Sequence, residues 1–154
     1  MGLDAPMERQ SVGEAEDTVW MRVIGEVAAG YDHIANEDWE GEKIEVPRSL
    51  FHGRPASDFM VLKVIGDSMS PDYQEGDRVL IKKCDTMPCS GKIGLFRYNG
   101  DTTTLKRIDY KSGEDWVNLV PINPWYPPIR LEGEKLTRCA VIGVPVYLFR
   151  EIEE

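Results

Sequence analysis

The sequence predicts a mostly β domain, a compact sandwich or partly open barrel with at most short helical turns. Short runs rich in β-branched and aromatic residues recur along the chain, each bounded by Gly, Pro, Asn or Asp. The pair Asn99-Gly100 sits between two such runs, the strongest short-range signal for a hairpin. Nowhere does the apolar spacing sustain a helical period over several turns, and at most one helical turn is expected after Ser68.

Residues 1–18 form an acidic stretch with few large apolar side chains and read as a flexible leader, with residues 19–154 as one domain. The first strand is expected in "VWMRVIGEVA". An acidic connection, "AAGYDHIANEDWEG", leads to a short strand in "EKIEVP", ended by Pro47. A dense β region follows. "DFMVLKVIG" and "DRVLIKK" read as strands flanking the turn-rich "DSMSPDYQEG", and "KIGLFRYNGDTTTLKRI" reads as the hairpin. "DWVNLVPI" and "LTRCAVIGVPVYLF" complete the set. The last run is apolar and near the C-terminus, so an edge strand that pairs with a second copy is expected there.

Composition narrows the function. The chain has 154 residues, enough for one domain with a sizeable core. Its net charge of −9 argues against a domain that binds DNA by itself, because neutralising phosphates supplies most of that affinity. No apolar run approaches the ~18 residues a membrane span needs, and the start lacks a signal segment, so a cytoplasmic location without membrane attachment is expected. Cys84, Cys89 and Cys139 are odd in number, which disfavours a disulfide framework. Only His33 and His52 could complete a zinc set with them, so no metal is expected. There is no phosphate loop or dinucleotide fingerprint, and no cofactor is expected. Gly91, Gly94 and Gly100 are strand-end or hairpin glycines.

Chemistry concentrates in "VIGDSMSPDYQEGD", residues 64–77. Ser68 lies in a turn that could present it as a nucleophile. His33, in the acidic loop, and His52, in a Gly/Pro-flanked stretch, read as surface histidines rather than as its base. A lysine can take the role if it is neutral, which burial in an apolar pocket favours. Lys106, on the return strand of the hairpin after Leu105, fits. Lys63 is too near Ser68 in the same run, and Lys82 and Lys83 repel each other toward solvent.

"GDSMSPDYQEGD", the later "TLKRI", the upstream "GEVAAG", the segment "VPINPWYPPI" and the closing "VIGVPVYL" together resemble the LexA-type self-cleaving serine peptidase family, over about Val23 to Phe149. That family includes LexA and lambda-like phage repressors and the UmuD polymerase accessory proteins. The resemblance implies Ser68 as nucleophile, Lys106 as general base, and Ala29-Gly30 as the bond the chain cuts in itself. It implies an oxyanion hole of backbone N–H groups near Ser68, its own and that of Asp67. Met69 and Pro71 would shape the turn, and Gly76 and Asp77 would end it. Trp125 and Tyr126 are expected in packing or an interface rather than in base stacking.

The leading expectation is thus the C-terminal self-cleaving and dimerising domain of a LexA-like or phage-type transcriptional repressor of the DNA-damage (SOS) response. The resemblance implies a homodimer, and a RecA filament as the partner that promotes cleavage. DNA would be reached only through a helix-turn-helix head, which needs roughly 60 residues and lies outside this chain. The alternatives are a UmuD-like accessory protein, favoured by the short leader but not by the Ala-Gly bond, and a dimerisation module of the same fold that does not cut. A leader peptidase shares the Ser-Lys pair but is membrane-anchored.

Overall fold

The computed structural model describes residues 17–25 and 41–152. Among them nine strands form one mixed sheet that does not close, so the mostly β class expected is adopted as one open sheet. In chain order the strands are β1 (Thr18–Gly25), β2 (Lys43–Pro47), β3 (Phe59–Lys63), β4 (Arg78–Lys83) and β5 (Ile93–Tyr98). There follow β6 (Thr102–Asp109), β7 (Trp116–Val120), β8 (Ile129–Glu132) and β9 (Ala140–Phe149). Their order across the sheet is β2-β1-β3-β4-β9-β5-β6-β7-β8.

Most of the strands follow the runs read from the sequence. The β5–β6 hairpin turns at Asn99 and Gly100, whose φ angles of 50° and 86° lie in the left-handed region that Asn and Gly tolerate best. From β5 to β8 each strand pairs antiparallel with the next. At the other end β1 pairs antiparallel with β2 but parallel with β3, the one parallel contact among the described strands.

The sequence reading differs from the structure in three places. A strand over "IRLE" (β8) was not expected. It is short and follows two prolines, yet it pairs with β7 from Trp116↔Glu132 to Leu119↔Ile129 and buries Leu131. "LTR" is not strand: Leu136 and Thr137 belong to a four-residue helix, α1 (Glu134–Thr137). The third correction concerns β9, which is not an outer edge strand. Ala140–Gly143 pair with β5 and Gly143–Phe149 pair with β4, so β9 joins the two halves of the sheet. Gly143 pairs on both sides, and a Cβ there would sit 2.5 Å from both Ile81 Cγ2 and the Lys82 carbonyl oxygen. Only glycine lets the three backbones meet. Beyond it, Val144–Phe149 pair on one side only, with β4, so among the described residues this half of β9 keeps an open edge.

The core lies along the sheet in three clusters. Val23, Val46, Phe51, Phe59, Val61 and Leu80 fill the β1–β4 end. Leu62, Val64, Val79, Ile81, Leu95 and Leu105 fill the middle, and Phe96, Ile108, Val117, Leu119 and Leu131 the β5–β8 end. Each large side chain buried here contributes about 1.5–3 kcal/mol. The middle cluster fixes the strands on which the candidate site stands.

Candidate active site

Lys106 comes from an interior strand of the sheet. On β6 it follows Leu105, which is fully buried, and it is itself only 7 % exposed. Alternation along a strand puts residues two apart on the same face, so Thr104 and Lys106 point together. Lys106 Nζ donates to Thr104 Oγ1 at 2.7 Å, to the Leu105 carbonyl at 3.2 Å and to Ser68 Oγ at 3.0 Å. The sequence reading missed Thr104; the period-two spacing from Lys106 is the signal that could have found it.

Ser68 comes from the β3–β4 connection. Two bonds close this segment against itself: the Val64 N–H donates to the Asp77 carbonyl and the Gly76 N–H to the Val64 carbonyl, both at 2.9 Å. Inside it, Ser70 N–H donates to the Asp67 carbonyl and Tyr73 N–H to the Met69 carbonyl. The latter closes a turn across the cis Ser70-Pro71 bond rather than a helix, so no helical turn directly follows Ser68 among the described residues. Met69 is buried, which anchors the residue next to Ser68 in the core, and Pro71 follows a cis peptide.

Asp77 ends the segment and holds it. Its carboxylate is 2 % exposed and accepts two hydrogen bonds from Arg150, through Nε and Nη2, each at 2.8 Å. It also accepts from the Gln74 N–H at 2.7 Å. The Arg150 hydrogen bond is the main reason that this carboxyl ionises below its ordinary value, with the Gln74 N–H adding to it against the opposing effect of burial. Arg150 Nη2 further donates to the Asp72 carbonyl at 3.3 Å.

A second clamp comes from the loop between β7 and β8. The Asn123 N–H donates to the Ser68 carbonyl at 2.9 Å, and Asn123 Nδ2 donates to the Asp67 carbonyl at 3.0 Å. The Tyr126 hydroxyl donates to Asp67 Oδ1, and that hydrogen bond raises the tyrosine's pKa above its ordinary value. Trp125, expected in packing or an interface, is 90 % exposed and is not packed among the described residues.

The other candidates fall elsewhere. His52 is exposed and shares a 2.9 Å hydrogen bond with the Tyr147 hydroxyl. Lys63 is exposed at the end of β3, and Lys83 donates to the Ser57 carbonyl at 3.1 Å. His33 and the bond Ala29-Gly30 lie outside the described residues, as does nearly all of the expected leader. Cys84, Cys89 and Cys139 are free thiols, and burial pushes the Cys139 thiol up, which keeps it protonated. Among the described residues no cluster of three metal-ligating side chains occurs, and no helix is long and apolar enough to cross a membrane.

A hydroxyl and an amine thus stand at hydrogen-bonding distance. The amine belongs to a residue only 7 % exposed, and the hydroxyl is fixed by a turn anchored on both sides. Such a pair can pass a proton from oxygen to nitrogen and expose an oxygen nucleophile.

Comparison with known proteins places the chain in a family. The chain is 32 % identical over 130 residues to a LexA repressor of Carboxydothermus hydrogenoformans, covering 84 % of this chain and 61 % of that protein. It is 39 % identical over 129 residues to a LexA repressor of Herminiimonas arsenicoxydans, covering 83 % of this chain and 55 % of the relative. With a LexA repressor of Staphylococcus carnosus the identity is 35 % over 140 residues, 90 % of this chain and 63 % of the relative. The chain therefore spans about three fifths of the length of these relatives. Residues 22–146, which hold Ser68, Lys106 and the elements that carry them, match the Peptidase S24-like family, and the chain belongs to it.

Proposed function

We propose that this chain is the self-cleaving and dimerising part of a LexA-like transcriptional repressor, and that it cuts its own Ala29-Gly30 bond with Ser68 as nucleophile and Lys106 as base. The 3.0 Å contact between Lys106 Nζ and Ser68 Oγ carries this reading. An amine stripped of water favours its neutral form. Once Lys106 is neutral the bond reverses direction, and Ser68 donates to it. Ser68 Oγ then attacks the Ala29 carbonyl carbon as its proton passes to Lys106. The backbone N–H groups of Asp67 and Ser68 receive the developing oxyanion. Collapse breaks the bond to Gly30 nitrogen, which takes the proton back from Lys106, and water releases Ala29 from the serine ester. Thr104 keeps the Lys106 amine aimed at the serine throughout.

The substrate is part of the same chain, so it meets the dyad at a high effective concentration and no pocket for a free peptide is needed. Small side chains at Ala28, Ala29 and Gly30 suit a narrow approach. Dimerisation uses the open edge of Val144–Phe149, where Val146 and Leu148 are exposed. A RecA filament is the partner that promotes cleavage.

The test is incubation of the purified chain across neutral to alkaline pH, followed by intact mass. Two fragments are expected, one ending at Ala29 and one beginning at Gly30, with a rate that rises as Lys106 loses its proton. Ser68→Ala and Lys106→Ala abolish the reaction. Cleavage that persists in Ser68→Ala, or its absence from the folded parent chain across the whole pH range, refutes the reading. Addition of RecA filaments near neutral pH is expected to accelerate the parent chain and leave Ser68→Ala intact.

A further inference from the structure

We infer that Asn123 and Tyr126 are positioning residues for Ser68: together they lock the Asp67–Ser68 backbone so that the serine oxygen and the serine N–H present a fixed geometry to the reacting carbonyl. The inference rests on the assignment of Ser68 as the nucleophile.

Three contacts from one short loop converge on two consecutive residues. The Asp67 carbonyl accepts from Asn123 Nδ2 as well as from Ser70 N–H, and the Ser68 carbonyl accepts from Asn123 N–H. The Asp67 side chain accepts from the Tyr126 hydroxyl. In a trans peptide the C=O and the following N–H point in opposite directions. Fixing the Asp67 carbonyl therefore fixes the direction of the Ser68 N–H, one of the two proposed oxyanion donors. Fixing the carbonyls on both sides of the Ser68 Cα also leaves its Cβ little freedom, and with it the line from Oγ to Lys106 Nζ.

The loop is itself braced for this. Trp125 N–H donates to Asn123 Oδ1 at 3.0 Å and Tyr126 N–H to the Asn123 carbonyl at 3.2 Å. Asn123 thus uses its amide oxygen to order its own loop and its amide nitrogen to hold the serine turn. The prolines 124, 127 and 128 restrict the backbone around it. None of these contacts lies in the hydrophobic core, and the Tyr126 side chain is substantially exposed. A loop-to-loop clamp of this kind adds little to global stability while setting the orientation of one catalytic group.

The test uses the full chain and two reactions of Ser68. Self-cleavage is followed from neutral to alkaline pH. Labelling by a small fluorophosphonate is followed by intact mass; it needs the activated serine and its oxyanion donors but not the Ala29-Gly30 segment. Tyr126→Phe and Asn123→Ala are each expected to slow both reactions on the order of 10-fold, since misplacement by a fraction of an ångström is costly in such chemistry. The midpoint of the pH–rate curve stays in place, because Lys106 and Thr104 are untouched, and the melting temperature stays near that of the parent. Asp67→Ala, which removes the acceptor of the Tyr126 hydroxyl, is expected to slow both reactions as Tyr126→Phe does. Parent rates in both Tyr126→Phe and Asn123→Ala overturn the inference while leaving Ser68 as nucleophile. So does an Asp67→Ala variant as fast as the parent, or a loss of rate that only follows the unfolded fraction. If the parent is neither cleaved nor labelled, the nucleophile assignment fails and the inference falls with it.

Discussion

Asp77→Asn tests whether the far end of the serine turn is held by charge. The wild-type carboxylate accepts two hydrogen bonds from Arg150 at 2.8 Å and one from the Gln74 N–H at 2.7 Å, while 2 % exposed. Asparagine keeps the shape but has one acceptor oxygen, and its amide nitrogen then faces a donor. At least one hydrogen bond to a charged group is lost, worth about 1.5–3 kcal/mol. Arg150 is 38 % exposed, so water screens part of the pair and the lower half of that range applies. A cost of about 2 kcal/mol lowers the melting temperature of a chain this size by roughly 4–8 °C.

The pH dependence separates charge from shape. Asp77 ionises below its ordinary value of 3.8, principally because of the Arg150 hydrogen bond. A depressed carboxyl contributes its stability fully above the unfolded pKa and loses it as pH falls through the folded one. The gap between wild type and Asp77→Asn is therefore full at pH 7, begins to narrow near pH 5, and closes in stronger acid. Thermal unfolding of both proteins, followed by circular dichroism from pH 7.5 down to the onset of acid unfolding, reads it. A gap under about 1 °C at pH 7.5 would refute the assignment of the pair as a stabilising contact. A full gap that does not narrow with acid would show that shape, not charge, is responsible.

Gly143→Ala puts a methyl group 2.5 Å from Ile81 Cγ2 and from the Lys82 carbonyl, where β4, β9 and β5 meet. It is expected to destabilise by about 1–3 kcal/mol in urea unfolding, because the backbone oxygen cannot move aside as a side chain would. Leu119→Ala empties a fully buried position in the β5–β8 cluster and is expected to cost about 2–5 kcal/mol by the same assay. Thr104→Val removes the 2.7 Å acceptor from Lys106 at nearly constant volume. On the proposed function it slows self-cleavage at every pH while Thr104→Ser, which keeps the hydroxyl, retains most of the rate; equal rates in wild type and Thr104→Val would remove Thr104 from the mechanism.

What the sequence revealed divides by physical range. Strands whose apolar residues are contiguous, such as "DFMVLK" and "DRVLIKK", are visible because burial and β-branching act locally, and the Asn99-Gly100 turn is visible because few residue types tolerate its backbone. Strand β8 was invisible because four residues after Pro127-Pro128 carry almost no local preference, and only pairing with β7 makes them a strand. The double role of β9 was equally hidden. Nothing along "AVIGVPVYLF" says that its two halves have different neighbours, although Gly143 marks the crossover once the neighbours are known. In the site, Ser68 and Lys106 were legible from a resemblance covering several segments. Thr104 was within reach of strand periodicity. The contacts of Asn123, Tyr126 and Arg150 were not, since they link residues 56, 59 and 73 positions apart through loops with no periodicity at all.

Ser68 and Lys106, the proposed dyad, are held by different means, and this decides where the candidate site is vulnerable. Lys106 stands on an interior strand paired on both sides, to β5 and to β7, next to a leucine in the middle core cluster. Its position is set by the cooperativity of the whole sheet, and no single surface contact moves it. Ser68 stands on a turn, where backbone freedom is large and the sheet gives no register. Three attachments replace the sheet there: Met69 in the core, Asn123 on the Asp67 and Ser68 carbonyls with Tyr126 on the Asp67 side chain, and Arg150 on Asp77. Substitutions that loosen the turn should therefore degrade the dyad while the fold persists, whereas substitutions that displace Lys106 should degrade both together. The distance between Ser68 Oγ and Lys106 Nζ is accordingly governed from the serine side.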